Sequence, residues 1–425
     1  MEFFQSSAIL IIYTEDRLNV KSNMIHSRKL LFSLLSAFLL LSISFSGFAF
    51  FPPAEKQQAD SVPKLDSMNR SILQEYIAHD PITVNNDEEL AAAANSGVGS
   101  ANDPYIITGR NITGFPTDGI YIRGTTKHFR VENCRVSDCE RGIVVDNVTS
   151  GTVSITNNIC FNNTLFGIHI LYSEFSNITV NLCTDNGGIE NRGCGLYLYY
   201  SGSSTLTNNT CNYNEDGIEL ILSPSSIIAD NICNANRDNG ISLWLSGSSI
   251  LVNNTCNNGF IGIDLYDSDS SALINNICIN NSKGIDFRIS GFSHLTKNTC
   301  NDNRRYGISI DTSGYSILSN NTCNNNNGSG IFLYDSGLST VANNTCNNND
   351  GYGISLFDSS SVTLINNICI DNSEGEIYII TGVTQDFTTP TTTREPNFID
   401  NISDRLFLFL IVIVFLLTIV RIKKE

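Results

Sequence analysis

The chain has 425 residues, a formal net charge of −17, and charged side chains at only 16%. An acidic surface excludes phosphate-backbone recognition as the main business of the protein, so no nucleic-acid partner is expected. Charge well below the usual quarter leaves Asn, Ser and Thr to solvate the surface, as on exported repeat proteins.

In chain order, residues 1–29 form an N-terminal tail. Met24 is the expected true start, because Glu15 and Asp16 precede the basic His26, Arg28 and Lys29. Residues 30–51 are apolar, and Gly47-Phe48-Ala49 supplies a small-x-small cleavage site. This reads as a signal peptide, or as an anchor when uncleaved. Residues 52–80 read as a linker and 81–113 as an N-terminal cap. Within the cap, Asp87 to Asn95 predicts a short helix that covers the open edge of whatever follows.

Residues 114–380 repeat. A cysteine returns every 22 or 23 residues at Cys211, Cys233, Cys256, Cys278, Cys300, Cys323, Cys346 and Cys369, always with Asn two places before it. A Gly-Ile or Gly-Leu marker runs in phase at Gly167, Gly195, Gly217, Gly240, Gly262, Gly284, Gly307, Gly330 and Gly353, each 16 residues before the next ladder cysteine. Length therefore varies only in the turn between cysteine and glycine, and one unit is stacked on itself. After each glycine the period is two, as in Ile263-Asp264-Leu265 and Ile354-Ser355-Leu356, which is a half-buried strand. A further apolar residue stands five before each cysteine, too far to share a flat face, so a bend falls between, at pairs such as Asn275-Asn276. Asn tolerates the left-handed conformation a tight bend needs. A Ser six places after each glycine marks another corner. Each coil thus has about three short strands and three corners, and successive coils pair in parallel about 4.8 Å apart. The fold class expected is all-β, a right-handed parallel β-helix solenoid of about eleven to twelve coils.

Residues 381–405 have the Thr-rich composition of a stalk. Residues 406–420 are apolar apart from Thr418, and 421–425 form a basic tail. Fifteen residues rise about 22 Å as a helix, short for a bilayer, but Arg405 and the tail can snorkel. The expectation is a C-terminal transmembrane helix holding an extracellular body at the cell membrane; a buried core helix is the alternative.

Thirteen cysteines in an exported chain suggest disulfides. A bridge across so short a vertical step would strain the ladder, so buried thiols packed as small hydrophobes are expected instead. Cys139 and Cys194 lie off the ladder and are read as surface thiols or as one bridge. A column of thiols would suit Cu(I), yet three Met and five His supply no recognisable copper motif, and no metal site is assigned. Sequons three before the ladder cysteine, Asn208, Asn253, Asn320 and Asn343 among them, make glycosylation candidates.

These residues resemble the right-handed parallel β-helix superfamily, which includes pectate lyases, polygalacturonases, alginate epimerases and the NosD-like copper-binding family. The Asp103 to Gly109 segment, Asp-Pro-Tyr-Ile-Ile-x-Gly, is similar to one in archaeal cell-surface β-helix proteins. The resemblance covers roughly residues 82–380 and implies fold far more strongly than chemistry.

Two outward columns follow from the strand period. The first holds Tyr197, Glu219, Asp264 and Asp286; the second holds Tyr199, Trp244, Tyr266, Arg288, Tyr334 and Phe357. In pectate lyases and polygalacturonases this face carries catalytic carboxylates or calcium ligands. Asp264, Asp286, Glu219 and Arg288 are therefore the catalytic candidates, with Ca²⁺ as the ion a paired-carboxylate site could take. Trp244, Tyr266, Tyr334, Phe357, Tyr197 and Tyr199 are the candidates for stacking on sugar rings. Three readings stay open: a membrane-anchored rod that binds glycans or partners; a polysaccharide lyase, epimerase or hydrolase; and a NosD-like role in copper delivery.

Overall fold

The computed structural model describes residues 76–188 and 193–380. Over these the chain winds as a right-handed parallel solenoid of about 12 turns with almost no helix. Sheet 1 has 13 strands, from Ile82–Val84 to Gly375–Ile380, and contains the Gly-Ile strands. Sheet 2 has 12, from Tyr105–Thr108 to Thr363–Ile365, and sheet 3 has 6, from Ile77–Ala78 to Thr210–Asn212. Each strand pairs with its equivalent one coil on, as Ile263 does with Ile285 and Leu251 with Leu273.

Sheet 3 does not persist. Beyond Thr210–Asn212 it thins to single parallel bridges, from Thr210↔Ile232 to Thr345↔Ile368. Asparagine contributes at most of these coils. Asn212 Oδ1 accepts the backbone N–H of Asn234, and Asn234 Oδ1 accepts that of Asn257, at 2.7 and 2.9 Å. A side-chain oxygen there takes the N–H that a backbone ladder would use. The three strands expected per coil are thus two strands and a bridge through the C-terminal half.

The core is apolar at its centre and amide-lined at its corners. Ile263, Leu265, Leu273 and Cys278 of one coil are fully buried. The Asn two before each cysteine forms a continuous ladder: Asn254 donates Nδ2 to Asn276 Oδ1 at 3.0 Å and to Ile228 O at 2.9 Å, and its N–H also reaches Asn276 Oδ1 at 3.0 Å. A second amide ladder stands three after the cysteine, as with Asn303 and Asn326 at 3.0 Å. Paired serines line the corner after sheet 1, where Ser271 Oγ donates to Ser268 O at 2.9 Å and Ser246 N–H to Ser268 Oγ at 3.0 Å. Buried polar groups are costly unless bonded, and these ladders bond them in bulk.

The bend expected at the Asn pairs is present, and the pair divides the work. Asn275 takes the left-handed conformation (φ 54°) and faces out, while Asn276 turns in to the ladder. Val180 and Lys297 adopt the same φ at equivalent places, so Asn is favoured there but not required. The marker glycines answer to crowding. A Cβ on Gly262 would lie 2.5 Å from Gly284 O and 2.8 Å from Cys278 Cβ, so the coils approach too closely for any side chain.

All thirteen cysteines are buried and free. Burial holds Cys211, Cys256, Cys300 and Cys346 well above the ordinary thiol range. Cys139 is neither a surface thiol nor bridged. With Cys134 it stands at the amide positions of an early coil, where the backbone N–H of Cys134 donates to Asn158 Oδ1 at 2.9 Å and that of Cys139 to Asn163 Oδ1 at 3.1 Å. Cys194 is also buried and unbridged.

At the N-terminal side a helix, α1, runs Asp87–Ala93, two residues shorter than expected. Asn86 caps it by accepting the Glu89 N–H at 2.9 Å, and Leu90 is buried in the core cluster. Asp87 ties it to the coils through Thr126 N and Oγ1, both at 2.7 Å. The strands begin earlier than residue 114, at Ile77. Among the described residues no helix is long and apolar enough to cross a membrane. The expected signal segment (30–51), stalk and transmembrane helix (406–420) lie outside the described residues.

Candidate functional site on the outer face of sheet 1

The register places the candidates as the period implied. Asp264 pairs directly with Asp286, Tyr266 with Arg288 and Trp244 with Tyr266, and Glu219 lies two coils before Asp264. What differs is exposure. The first column faces outward yet is largely covered: Asp264 is 6% exposed and Asp286 2%.

The cover is a row the sequence reading missed, the residue immediately before each marker glycine. In most coils its side chain lies over the first-column residue of the next coil, while Lys283 lies over Asp286 of its own. Phe166 stacks on Tyr197 at 4.8 Å, Tyr306 on Phe332 at 4.5 Å and Tyr352 on Tyr378 at 4.6 Å. Arg141 Nη1 donates to His169 Nδ1 at 3.4 Å, Cys194 Sγ to Glu219 Oε2 at 3.2 Å, and the Ser329 and Ser355 hydroxyls meet at 2.6 Å. The signal was available in the fixed offset from glycine, but the varied residue types hid it.

Asp264 and Asp286 are consequently a buried ion cluster, not the solvated acidic pair expected. Arg288 Nη2 meets Asp264 Oδ2 at 2.6 Å, and Arg288 Nε stands 3.6 Å from Asp286 Oδ2. Lys283 Nζ donates to both Asp286 oxygens at 2.9 Å. Two cationic side chains thus hold the place that a Ca²⁺ ion would take between these carboxylates. Burial, opposed by Arg288 and assisted by Asp286, raises Asp264 to about 6, and its Oδ1 is buried without a partner. Glu219 belongs to a different group, with Cys194 and Asp216, whose ligand atoms lie within 4.8 Å of one another.

The aromatic candidates do not form one platform. Tyr197 is packed between Phe166 and His169. Tyr199 sits edge-on to Tyr172 and Tyr200. Phe357 leans on Phe332 and Tyr378. Tyr334 is exposed. Trp244 (47% exposed) meets Tyr266 edge-on at 5.5 Å, and the Arg288 guanidinium lies 5.6 Å from the Tyr266 ring centre. These three stand on successive coils, so an aromatic and polar strip borders the ion cluster.

The corner beside this strip holds a second aromatic group, unforeseen because it occupies left-handed turn positions. Phe292 and Tyr315 stack in parallel at 4.9 Å and are each more than half exposed. They line an open groove of about 380 Å³ with Asp269, Asp335 and Leu338. Of the glycosylation candidates, Asn208 and Asn253 are exposed and Asn320 and Asn343 half-buried. Asn253 Nδ2 already donates to Asp230 at 3.0 Å, and its Oδ1 accepts from Asn275 at 2.8 Å.

Fold and face together define a right-handed parallel β-helix, and residues 76–190 match the family described as right-handed beta helix region. Residues 183–286 and 246–403, together just over half of the chain, match the family described as periplasmic copper-binding protein (NosD), and the chain belongs to that family. No curated protein matches it. Similar solved structures include the Azotobacter vinelandii mannuronan C-5 epimerase AlgE6 A-module, at 12% identity and TM-score 0.50 over 67% of this chain and 90% of that one. Another is the catalytic domain of a GH87 alpha-1,3-glucanase in complex with tetrasaccharides, at 12% identity and TM-score 0.55 over 80% of this chain and 70% of that one. At these identities the likeness is one of fold.

Proposed function

We propose that this protein binds an extended polysaccharide along the outer face of sheet 1, at the strip formed by Trp244, Tyr266 and Arg288. The observation that carries this reading is the exposed Trp244–Tyr266 pair, with Arg288 packed on Tyr266 and fixed by Asp264. Aromatic faces stack on sugar rings, and a held guanidinium supplies donors to hydroxyl or carboxylate groups. Coils about 4.8 Å apart set successive side chains at roughly the length of one sugar unit. The glucanase domain of similar fold is described with tetrasaccharides bound, which supports the choice of ligand. Full-length protein screened against neutral and acidic oligosaccharides by calorimetry should bind at least one class without releasing product. Trp244→Ala and Tyr266→Ala should each weaken it tenfold or more with circular dichroism unchanged. Binding that survives both substitutions overturns the proposal.

Catalysis by Asp264 and Asp286 is the second reading, favoured by the raised Asp264 carboxyl, which would keep a proton to donate near pH 6. Against it stand their burial and their engagement with Arg288 and Lys283. Product formation from a polyuronate, lost in Asp264→Asn, would favour this reading. Copper delivery is suggested by the family description. The ladder thiols do not fit a resident copper ion: they are buried in the core cluster among aliphatic side chains, away from solvent. No step is assigned to copper here. The reading places the rod outside the cell, held by residues 406–420, with α1 closing the N-terminal end of the stack; cell fractionation with and without those residues tests the anchor.

A further inference from the structure

Cys194, Asp216 and Glu219 come together from two adjacent coils, each offering one ligand atom within 4.8 Å of the others. Cys194 and Asp216 are register partners in the row that covers the first column, and Glu219 is the first-column residue beneath Cys194. Cys194 Sγ lies 3.2 Å from Glu219 Oε2. Cys194 and Asp216 are buried, while Glu219 is only half-buried and opens the group to solvent. Asn239 follows Asp216 in the same row, donates its backbone N–H to Asp216 Oδ1 at 2.8 Å, and has a side-chain Oδ1 that is buried without a partner.

The Asp264–Asp286 cluster lies two coils on from Glu219. There, two acidic groups are met by Arg288 and Lys283. Here three acidic groups converge, and among the described residues no lysine or arginine bonds Cys194 or Asp216; the nearby Arg237 pairs with Glu215 at 2.9 Å. Acids gathered in a poorly hydrated place need a cation to ionise together. The donor set is one sulfur and several oxygens. A thiol disfavours Ca²⁺ and Mg²⁺, and carboxylates are poor partners for Cu(I), whereas Zn²⁺ accepts both sulfur and carboxylate oxygen.

We propose that Cys194, Asp216 and Glu219 form a zinc site. The site stands apart from the sugar strip at Trp244 and does not depend on it. Binding releases the protons of the thiol and of any protonated carboxyl to solvent, and Zn²⁺ takes their place.

The test uses the full chain, stripped with chelator and dialysed against Zn²⁺ alone. One zinc per chain is expected. Asp216→Asn and Glu219→Gln, both close in shape to the native residues, should each weaken uptake at least tenfold. Co²⁺ in place of zinc should give a near-ultraviolet thiolate charge-transfer band that Cys194→Ser abolishes and Cys256→Ser in the ladder leaves intact. The proposal is overturned if the folded protein takes up no stoichiometric zinc, or if uptake is the same in Asp216→Asn and Glu219→Gln. It is equally overturned if uptake follows Cys256→Ser, which would put the metal on the ladder. Circular dichroism identifies any variant that fails to fold, and the remaining isosteric variant then decides.

Discussion

Arg288 Nη2 reaches across one coil to within 2.6 Å of Asp264 Oδ2, yet the other oxygen of Asp264 is buried with no partner. The pair is therefore half made, and the carboxyl resists ionising in spite of its arginine.

This has a consequence for stability. Asp264 titrates near 6 when folded and near 3.8 when exposed, so its contribution is fully present below pH 3.8 and is lost as pH rises through about 6. A shift of this size corresponds to about 3 kcal/mol. The facing groups are Arg288, Asp286 and Lys283. Asp264→Asn should therefore gain on the wild type by roughly that amount between pH 4 and pH 7.5, measured as the difference in urea midpoints. Parallel curves for the two proteins would contradict it.

His169 should act in the opposite sense. Burial, reinforced by Arg141, depresses it to about 3, and its Nε2 has no partner. Its stabilising contribution is present above 6.5 and is lost as pH falls towards 3, because the unfolded chain takes up the proton first. His169→Phe should flatten the acid limb of the stability curve between pH 6 and pH 4. The two slopes partly cancel in the wild type, so each is read from the difference between its own variant and the parent.

The amide ladder gives a contrast between neighbours. Asn276→Ala removes an acceptor used by the backbone and Nδ2 of Asn254, and a donor to Leu251 O and Asn298 Oδ1. Leaving such buried groups unpaired costs about 1–3 kcal/mol each, so several kcal/mol in all. Asn275→Ala, one residue away and facing solvent, should cost only about 1 kcal/mol, from its left-handed backbone. Thermal melts of the two variants check this; equal losses would mean that the ladder adds nothing beyond its shape.

Thiol reactivity separates packing from pairing. The native protein should react negligibly with a thiol reagent, and all thirteen cysteines should react once it is unfolded in urea without reductant. Reductant should leave the melting temperature unchanged. Fewer than thirteen reactive thiols after unfolding would reveal a disulfide.

The repeat was legible because one coil's geometry is copied into every other. The cysteine and glycine phase gave the coils, their parallel register and both outward columns, down to the pairing of Asp264 with Asp286. The covering row escaped notice because Arg141, Phe166, Cys194, Asp216 and Lys283 share a position but no chemistry, and period alone cannot tell an outward side chain from a covered one. Phe292 and Tyr315 were hidden for a related reason: they sit at left-handed corners, where a sequence reader expects Gly or Asn.

The asparagine ladder also gives the molecule a sense of direction beyond that of its chain. From Asn158 to Asn367 each side-chain amide donates to the coil that follows and accepts from the coil before. Each amide nitrogen also donates back to a carbonyl of the coil before, as Asn254 does to Ile228 O and Asn276 to Leu251 O, so every amide ties together three successive coils and the bonds along the column polarise one another. The oxygens alone share one sense, all turned to the preceding coil, so the loss of one amide is felt by the coil on either side of it.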